Sequence, residues 1–212
     1  MLEIGGKQIA NTLAELVDPS RAALLLWDME YGIAPNAFNF KDILANLQRL
    51  AVAARRVGVP VFYSVQHGFD LVKAEAPVWV RVRMKRAKAS DPKQLLGEKE
   101  NPHDSEIVAE LAPQPQDCVF HKHRPDGFVG TDFELMLRSK AIKTIVIGGV
   151  ATEGGVEGTA RSARNLGYDV VVLRDGVGSR NRDLHDMALK IMEQSYFDMA
   201  TSAEIVAIWE RK

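Results

Sequence analysis

The sequence predicts an α/β fold: a three-layer α/β/α sandwich whose middle layer is a six-stranded, mainly parallel sheet. Two observations lead to this prediction. Short apolar runs rich in β-branched residues alternate with helical segments along the chain. The runs are apolar at successive positions, as in strands that are buried on both faces. A doubly wound, Rossmann-like sheet with helices on both sides accounts for both observations.

The elements follow one another in a regular order. The first apolar run, at residues 21–27, precedes a helical segment at residues 41–57 with apolar side chains on one face. Gly58 follows its last turn, where glycine commonly ends a helix. The further strands are predicted at residues 59–65, 117–122, 143–148 and 168–173, with a sixth at 204–208. The further helices are predicted at residues 104–111, 131–140, 153–166 and 182–200.

The segment at residues 68–104 interrupts this order, because it is long, basic, rich in proline and without a clear period. Long loops of this kind tend to be lids or interface segments. Five cations crowd into it: Arg81, Arg83, Lys85, Arg86 and Lys88. Either they form a solvated loop, or one of them binds an anionic substrate.

Composition excludes several classes of protein. The chain has 212 residues, 46% of them apolar and 26% charged, which predicts one domain over residues 1–212 and no membrane span. The net charge of −1 argues against nucleic acid as a partner. The single cysteine and the absence of a signal-like start predict a cytoplasmic protein without disulfides.

Neither a metal nor a cofactor is predicted. His121 and His123 share one strand face, but no set of ligands at metal spacing accompanies them. Gly149 and Gly154 match the start of a P-loop, whereas the following residues are not the Lys and Ser or Thr that a P-loop requires. No other nucleotide motif occurs in the sequence.

Polar features at the ends of apolar strands mark the expected site, since ligands bind beyond the carboxyl ends of a parallel sheet. Asp28 is either a general acid or base whose pKa is raised by burial, or a turn residue. Lys122 either pairs with Asp28, binds a substrate carboxylate or extends into solvent. The turn at residues 149–155 offers backbone N–H groups that can hold an anion or oxyanion.

Six motifs, in this order along the chain, carry a family resemblance: ALLLWDM, GVPVFYS, VFHK, GFVGTDFELMLR, GVATEGGVEGTARSA and LGYDVVVLRD. The ordered set resembles the isochorismatase-like hydrolases over nearly the whole length. Each motif is weak alone, but the set at these spacings is specific. The resemblance implies a six-stranded parallel sandwich and a homo-oligomer, either a dimer or a tetramer.

The resemblance also shows a departure from the family pattern. Most members are cysteine hydrolases that cleave amides, such as nicotinamide or carbamoyl compounds, with an Asp–Lys–Cys triad. Asp28 and Lys122 match that triad, but the position of its cysteine holds Gly155. Cys118 does not replace it, because four residues of strand separate it from Lys122 by roughly 13 Å. We therefore interpret Cys118 as a core residue.

The isochorismatases proper, a branch of the family, keep the Asp and Lys and carry Gly in place of the cysteine. They hydrolyse a vinyl ether to pyruvate and a dihydrodiol. Gln66 matches a substrate-binding Gln of that branch, and Arg83 or Arg81 matches its carboxylate-binding Arg. The turn supplies the remaining predicted substrate-binding residues: Val150, Ala151, Thr152, Glu153 and Gly154. This turn is closer to the amidase pattern, and an acid at position 153 is usual in neither group.

Together these features predict a cofactor-independent hydrolase of a small carboxylated substrate, with vinyl ether cleavage favoured. Asp28 would donate the proton, Lys122 would tune Asp28 and hold the substrate carboxylate, and Gly155 would leave room where a thiol otherwise stands. One alternative is hydrolysis of another amide, imide or ester, in which Asp28 activates water and the amides of residues 154–156 form an oxyanion hole. Another is an inactive, ligand-binding member of the family.

Overall fold

The structure, a computed structural model, describes residues 1–96, 101–195 and 197–211. Its main sheet has six strands, all parallel, in the order β5-β4-β3-β6-β7-β8. These strands are β3 (Ala22–Trp27), β4 (Val61–Gln66), β5 (Cys118–Lys122), β6 (Thr144–Val150), β7 (Asp169–Gly178) and β8 (Asp198–Ala200). The predicted α/β fold with a parallel sheet is confirmed. An antiparallel hairpin that the sequence did not predict precedes the sheet, with β1 (Leu2–Ile4) and β2 (Lys7–Ile9).

Helices cover both faces of the sheet. They are α1 (Leu13–Leu16), α2 (Phe40–Arg56), α3 (Pro77–Ala87), α4 (Phe133–Ser139), α5 (Glu157–Asn165), α6 (Arg182–Ser195) and α7 (Ser202–Trp209). On one face, α2 and α7 pack over a core that includes Leu47 and Trp209. On the other face, α4, α5 and α6 pack over a second core that includes Phe133. Every residue of β3 is buried, because alternate side chains enter the two cores.

The order of the strands determines where a ligand can bind. From β3 the chain moves outward through β4 to β5, and it then returns to β6 and moves outward on the other side. The connections that follow β3 and β6 therefore lead in opposite directions, and the strand order reverses between these two strands. In doubly wound sheets the crevice at this point is the usual ligand site.

The predicted sixth strand is wrong. Residues 204–208 lie within α7, and the sixth strand is β8, which has three residues. A capping box explains the helix: the Thr201 side chain accepts from the Glu204 N–H, and the Glu204 carboxylate accepts from the Thr201 N–H. The predicted helix at 182–200 ends at Ser195, and residue 196 lies outside the described residues.

The predicted lid at residues 68–104 contains a helix, α3, where a loop was expected. None of the residues of α3 is fully buried, so the helix carries no apolar stripe for a periodicity search to find. Residues 97–100 of this segment lie outside the described residues. The predicted helix at residues 104–111 is two short 3₁₀ turns, Pro102–Ser105 and Ala109–Leu111. Among the described residues, no helix is both long and apolar enough to cross a membrane.

Candidate active site

Asp28 and Lys122 form a buried ion pair at the carboxyl end of the sheet. Asp28 directly follows β3, and Lys122 is the last residue of β5, two strands away. Lys122 Nζ lies 3.0 Å from Asp28 Oδ2, and the two side chains are 1% and 11% exposed. The structure therefore brings the two acid–base candidates together, and Lys122 does not extend into solvent.

Gln66 contacts Lys122 from β4, the strand between β3 and β5. Gln66 and Lys122 are register partners at the ends of β4 and β5. Lys122 Nζ donates a hydrogen bond to Gln66 Oε1 at 2.7 Å, and it lies 4.5 Å from the centroid of the Trp27 ring. The buried Lys122 ammonium group is therefore held directly against the Asp28 carboxyl.

The charge state of Asp28 results from opposing effects. Burial raises the pKa of the Asp28 carboxyl, while the Lys122 charge and hydrogen bonds from Lys122, Ser64 and Trp27 lower it; burial dominates. Ser64 Oγ donates to Asp28 Oδ1 at 2.9 Å and accepts from the Asp28 backbone N–H at 3.0 Å. Asp28 has a left-handed φ of 49°, which Asp tolerates better than most residues. A carboxyl with a raised pKa is suited to donate a proton.

The turn after β6 is folded differently from a simple helix start. The Val150–Ala151 peptide bond is cis, and one irregular turn, Thr152–Val156, precedes α5. The N–H groups of Gly154 and Val156 both donate to the Ala151 carbonyl, at 3.1 and 3.3 Å. Two of the three amides expected to form an oxyanion hole therefore already have a partner within the turn.

Gly155 lies against the indole of Trp27. A Cβ atom at position 155 would lie 2.1 Å from Trp27 Nε1 and 2.4 Å from Trp27 Cε2, closer than any real contact. The expectation that Gly155 leaves room where a thiol would stand is therefore wrong. The space is filled, because the indole reaches it from the end of β3.

A cavity of about 520 Å³ lies beside Gly155 and the Asp28–Lys122 pair. Its lining includes nine of the predicted site residues: Asp28, Gln66, Arg83, Lys122, Val150, Ala151, Glu153, Gly154 and Gly155. Thr152 is the tenth and does not line it. Thr152 is fully buried, and its Oγ1 donates to the Gly178 carbonyl at 3.0 Å and bonds to His185 Nδ1 at 2.7 Å.

Cations surround the mouth of the cavity. Arg83, Arg86 and Arg180 line it, and none of them forms an ion pair with a residue that the structure describes. Of the five clustered cations, Arg83 and Arg86 therefore reach the cavity, and both lie on α3. A fourth arginine, Arg124, pairs with Glu75 at 2.9 Å and so ties the segment before α3 to the end of β5.

Glu153 presents a carboxylate to the same cavity. Its Oε1 accepts a hydrogen bond from Ser179 Oγ at 2.8 Å. Its Oε2 is buried and accepts no hydrogen bond from any described residue. Leaving a buried acceptor without a donor is costly, and no described residue offsets that cost here.

The sequence analysis missed two residues of the site, Trp27 and Glu30. Glu30 is 2% exposed and accepts from the Gln66 backbone N–H at 2.7 Å. Burial raises the pKa of Glu30 to about 8, opposed by the Gln66 hydrogen bond and reinforced by the Asp28 charge. For Glu30 the available signal was its position two residues after the strand-end Asp28, whereas Trp27 ends an apolar run and carries no such signal.

Of the three remaining candidates, Cys118 and His121 do not line the cavity, whereas His123 does. Cys118 begins β5, at the end of the strand opposite to Lys122, and packs partly buried against the second core. His123 Nδ1 bonds to the His67 carbonyl at 2.8 Å. Within residues 1–96, 101–195 and 197–211, no group of three or more His, Cys, Asp or Glu could hold a metal ion.

Several known proteins are similar to this chain in sequence or in fold. The chain is 29% identical over 204 residues to the ureidoacrylate amidohydrolase RutB of Pseudomonas syringae pv. syringae, covering 88% of this chain and 82% of the relative. A cysteine hydrolase structure from Pseudomonas syringae pv. phaseolicola matches with a TM-score of 0.77 and 24% identity, covering 92% of this chain and 95% of that one. An isochorismatase family protein from Burkholderia thailandensis matches with a TM-score of 0.70 and 28% identity, covering 91% and 97%.

A family model matches most of the chain. The isochorismatase domain model matches residues 22–204, from the first strand of the sheet into α7. This range includes the Asp28–Lys122 pair, the cavity and the turn at Gly155. The chain therefore belongs to the isochorismatase family of hydrolases.

Proposed function

We propose that this chain is a thiol-independent hydrolase of a small carboxylated substrate, with vinyl ether cleavage as its favoured reaction. One observation carries the proposal: the buried Asp28–Lys122 pair faces the cavity beside Gly155, and no thiol lines that cavity. A cysteine mechanism needs a nucleophile within hydrogen-bond reach of its base. Without a thiol, Asp28 is the side chain of this site that can react with the substrate.

Asp28 would act first as a general acid. The protonated carboxyl gives its proton to the terminal vinyl carbon, and the ether oxygen then stabilises the resulting oxocarbenium ion. Water adds to that ion and returns a proton to Asp28, and the hemiketal collapses to pyruvate and an alcohol. Lys122, at 3.0 Å, stabilises the Asp28 carboxylate that exists between the two proton transfers.

The substrate carboxylate would bind the arginines of the cavity, not Lys122 as the sequence suggested. Lys122 is 1% exposed and has Asp28 and Gln66 as partners. Arg83 on α3 is half-buried, lines the cavity and has no ion-pair partner among the described residues. Guanidinium groups bind carboxylates in bidentate geometry, so Arg83 is the better candidate.

A second candidate is hydrolysis of a C–N bond, with ionised Asp28 activating water. One observation favours it: the relative named a ureidoacrylate amidohydrolase. Two observations oppose it. The raised pKa of Asp28 favours its acid form, and the Gly154 and Val156 amides are already bound to Ala151.

A panel of substrates tests the proposal. The protein is incubated with isochorismate, with ureidoacrylate and with small amides, and pyruvate and ammonia are measured separately. Pyruvate without ammonia supports vinyl ether cleavage, whereas ammonia release from an amide or ureide establishes the second candidate in its place. Turnover of no compound, together with protection by one of them against thermal unfolding, would identify an inactive binding protein.

A further inference from the structure

Trp27 is a buried aromatic residue directly beneath the candidate site. It is the last residue of β3, it is fully buried, and its side chain belongs to the second core. Its indole N–H group lies near the Asp28 carboxyl and lowers the pKa of that group. Its ring lies 4.5 Å from Lys122 Nζ, within the range of a cation–π interaction. Trp27 thus contacts both members of the ion pair without reaching the cavity.

Two glycines make room for the indole. A Cβ atom at position 155 would approach Trp27 Nε1, Cε2 and Cζ2 at 2.1, 2.4 and 2.6 Å. A Cβ atom at position 127 would approach Trp27 Cζ3 at 3.1 Å. Any side chain at position 155 therefore requires the indole to move. Moving the indole would disturb its contacts with Asp28 and Lys122.

We propose that Trp27 is a positioning residue that replaces the thiol of this family in space, with Gly155 as its steric complement. The indole takes up the volume that a side chain at position 155 would need, and its N–H group and ring hold the Asp28–Lys122 pair. The effect of Trp27 on turnover rests on the proposed function, whereas its steric exchange with Gly155 does not.

The steric exchange is tested by unfolding, without any substrate. Gly155→Ala is made in the wild-type chain, in Trp27→Phe and in Trp209→Phe, and Tm is measured for each. Overpacking a close-packed core is destabilising, so Gly155→Ala should lower the Tm of the wild type by about 5 °C. In Trp27→Phe, which lacks the indole edge, the same substitution should cost less than half of that shift.

Trp209→Phe is the matched control. Trp209 is also fully buried, but it belongs to the first core and its indole donates to the Val17 carbonyl at 2.7 Å. In this background Gly155→Ala should cost its full wild-type shift. If Gly155→Ala does not fold in the wild type, its recovery in Trp27→Phe counts as the expected result. Equal cost, or failure to fold, in the Trp27→Phe and Trp209→Phe backgrounds would overturn the proposed exchange.

The positioning of Asp28 is tested by steady-state kinetics on the substrate found in the panel. Because the indole N–H group and ring contact the charged Asp28–Lys122 pair, Trp27→Phe should lower kcat about tenfold or more. KM should change less than twofold, because the buried indole does not touch the substrate. Trp209→Phe should change neither constant. A fall in kcat that is the same for both variants would show a merely structural role. A chain that hydrolyses no panel compound contradicts the proposed function and leaves the unfolding result intact.

Discussion

Two buried ion pairs lie at opposite ends of β5, and they differ in what surrounds them. At the amino end, Arg55 of α2 pairs with Asp117 at 2.6 Å, with side chains 13% and 1% exposed. At the carboxyl end, Lys122 pairs with Asp28 at 3.0 Å and is equally buried. Distance and burial alone therefore do not distinguish a structural pair from a catalytic one.

The partners of the two pairs distinguish them. Asp117 accepts two further bonds, from Arg55 Nε and from the Gln114 N–H, and Arg55 also donates to the Tyr63 hydroxyl. The Asp28–Lys122 pair instead faces a cavity with arginines that have no described ion-pair partner. The first pair is closed and fastens α2 to the sheet. The second is open on one side, where a substrate can enter.

The largest expected effect is on turnover, at the open pair. Asp28→Asn removes the proton donor while keeping the shape, and general acid catalysis typically contributes about 10²–10⁴-fold. We expect kcat to fall by that factor in the pyruvate assay. Because Asp28→Asn also leaves the buried Lys122 without its carboxylate partner, Tm should fall as well, and kcat is therefore compared for the folded fraction. Near-normal turnover would show that Asp28 is not the acid.

The closed pair should show the opposite behaviour. Arg55→Met leaves Asp117 buried without its cation, and breaking a buried pair in this way costs about 3–5 kcal/mol. We expect the free energy of unfolding in urea to fall by that amount, while kcat and KM of the folded fraction stay within about twofold. If turnover falls as it does in Asp28→Asn, the two ends of β5 are not functionally separate.

Glu30 should make stability depend on pH. The pKa of Glu30 rises from 4.5 in the unfolded chain to about 8 in the folded one, so the folded state binds more protons between these values. Its contribution to stability is fully present below pH 4.5 and is lost as the pH rises to about 8, at up to about 1.4 kcal/mol per pH unit. The raised pKa of Asp28 acts in the same direction.

The Glu30→Gln variant isolates this contribution. Glutamine can still accept from the Gln66 N–H, but it does not titrate. Urea unfolding at a series of pH values should give a flatter stability profile for Glu30→Gln than for the wild type. An unchanged slope between pH 5 and 8 would assign the dependence to other groups.

The smallest expected effect concerns Ser64. Its hydroxyl donates to Asp28 Oδ1 at 2.9 Å, and this bond lowers the pKa of Asp28. A single hydrogen bond contributes about 0.5–1.5 kcal/mol, so Ser64→Ala should reduce kcat about two- to tenfold. The alkaline limb of the pH–rate profile should also move to higher pH, since the acid form of Asp28 is then retained longer. A limb that moves to lower pH would contradict this assignment.

The sheet could be predicted from the sequence because its central strands are almost entirely apolar. Burial on both faces leaves that pattern in β3 and β6. The strand β8 has only three residues, too few to show this pattern. The apolar run that follows β8 belongs to α7, which begins with a capping box. The lid helix α3 was missed because none of its residues is fully buried.

The site could be predicted in part, for a similar reason. Asp28 and Lys122 are visible because a polar residue that ends an apolar run is conspicuous. Trp27 is apolar within an apolar run, so nothing in the sequence separates it from core residues. Its role depends on a close approach to Gly155 across the sheet, and such distances arise only from the three-dimensional fold. Thr152 shows the converse, because a residue in the right turn can point away from the cavity.

The most direct test of a thiol-independent acid is a comparison of Cys118→Ser with Asp28→Asn. Cys118 is the sole cysteine of the chain and lies at the far end of β5 from Lys122. The initial rate of pyruvate release from isochorismate is measured for both variants and for the wild type. We predict a wild-type rate for Cys118→Ser and a loss of about 10²-fold or more for Asp28→Asn. Loss of activity in Cys118→Ser, with activity retained in Asp28→Asn, would contradict the account.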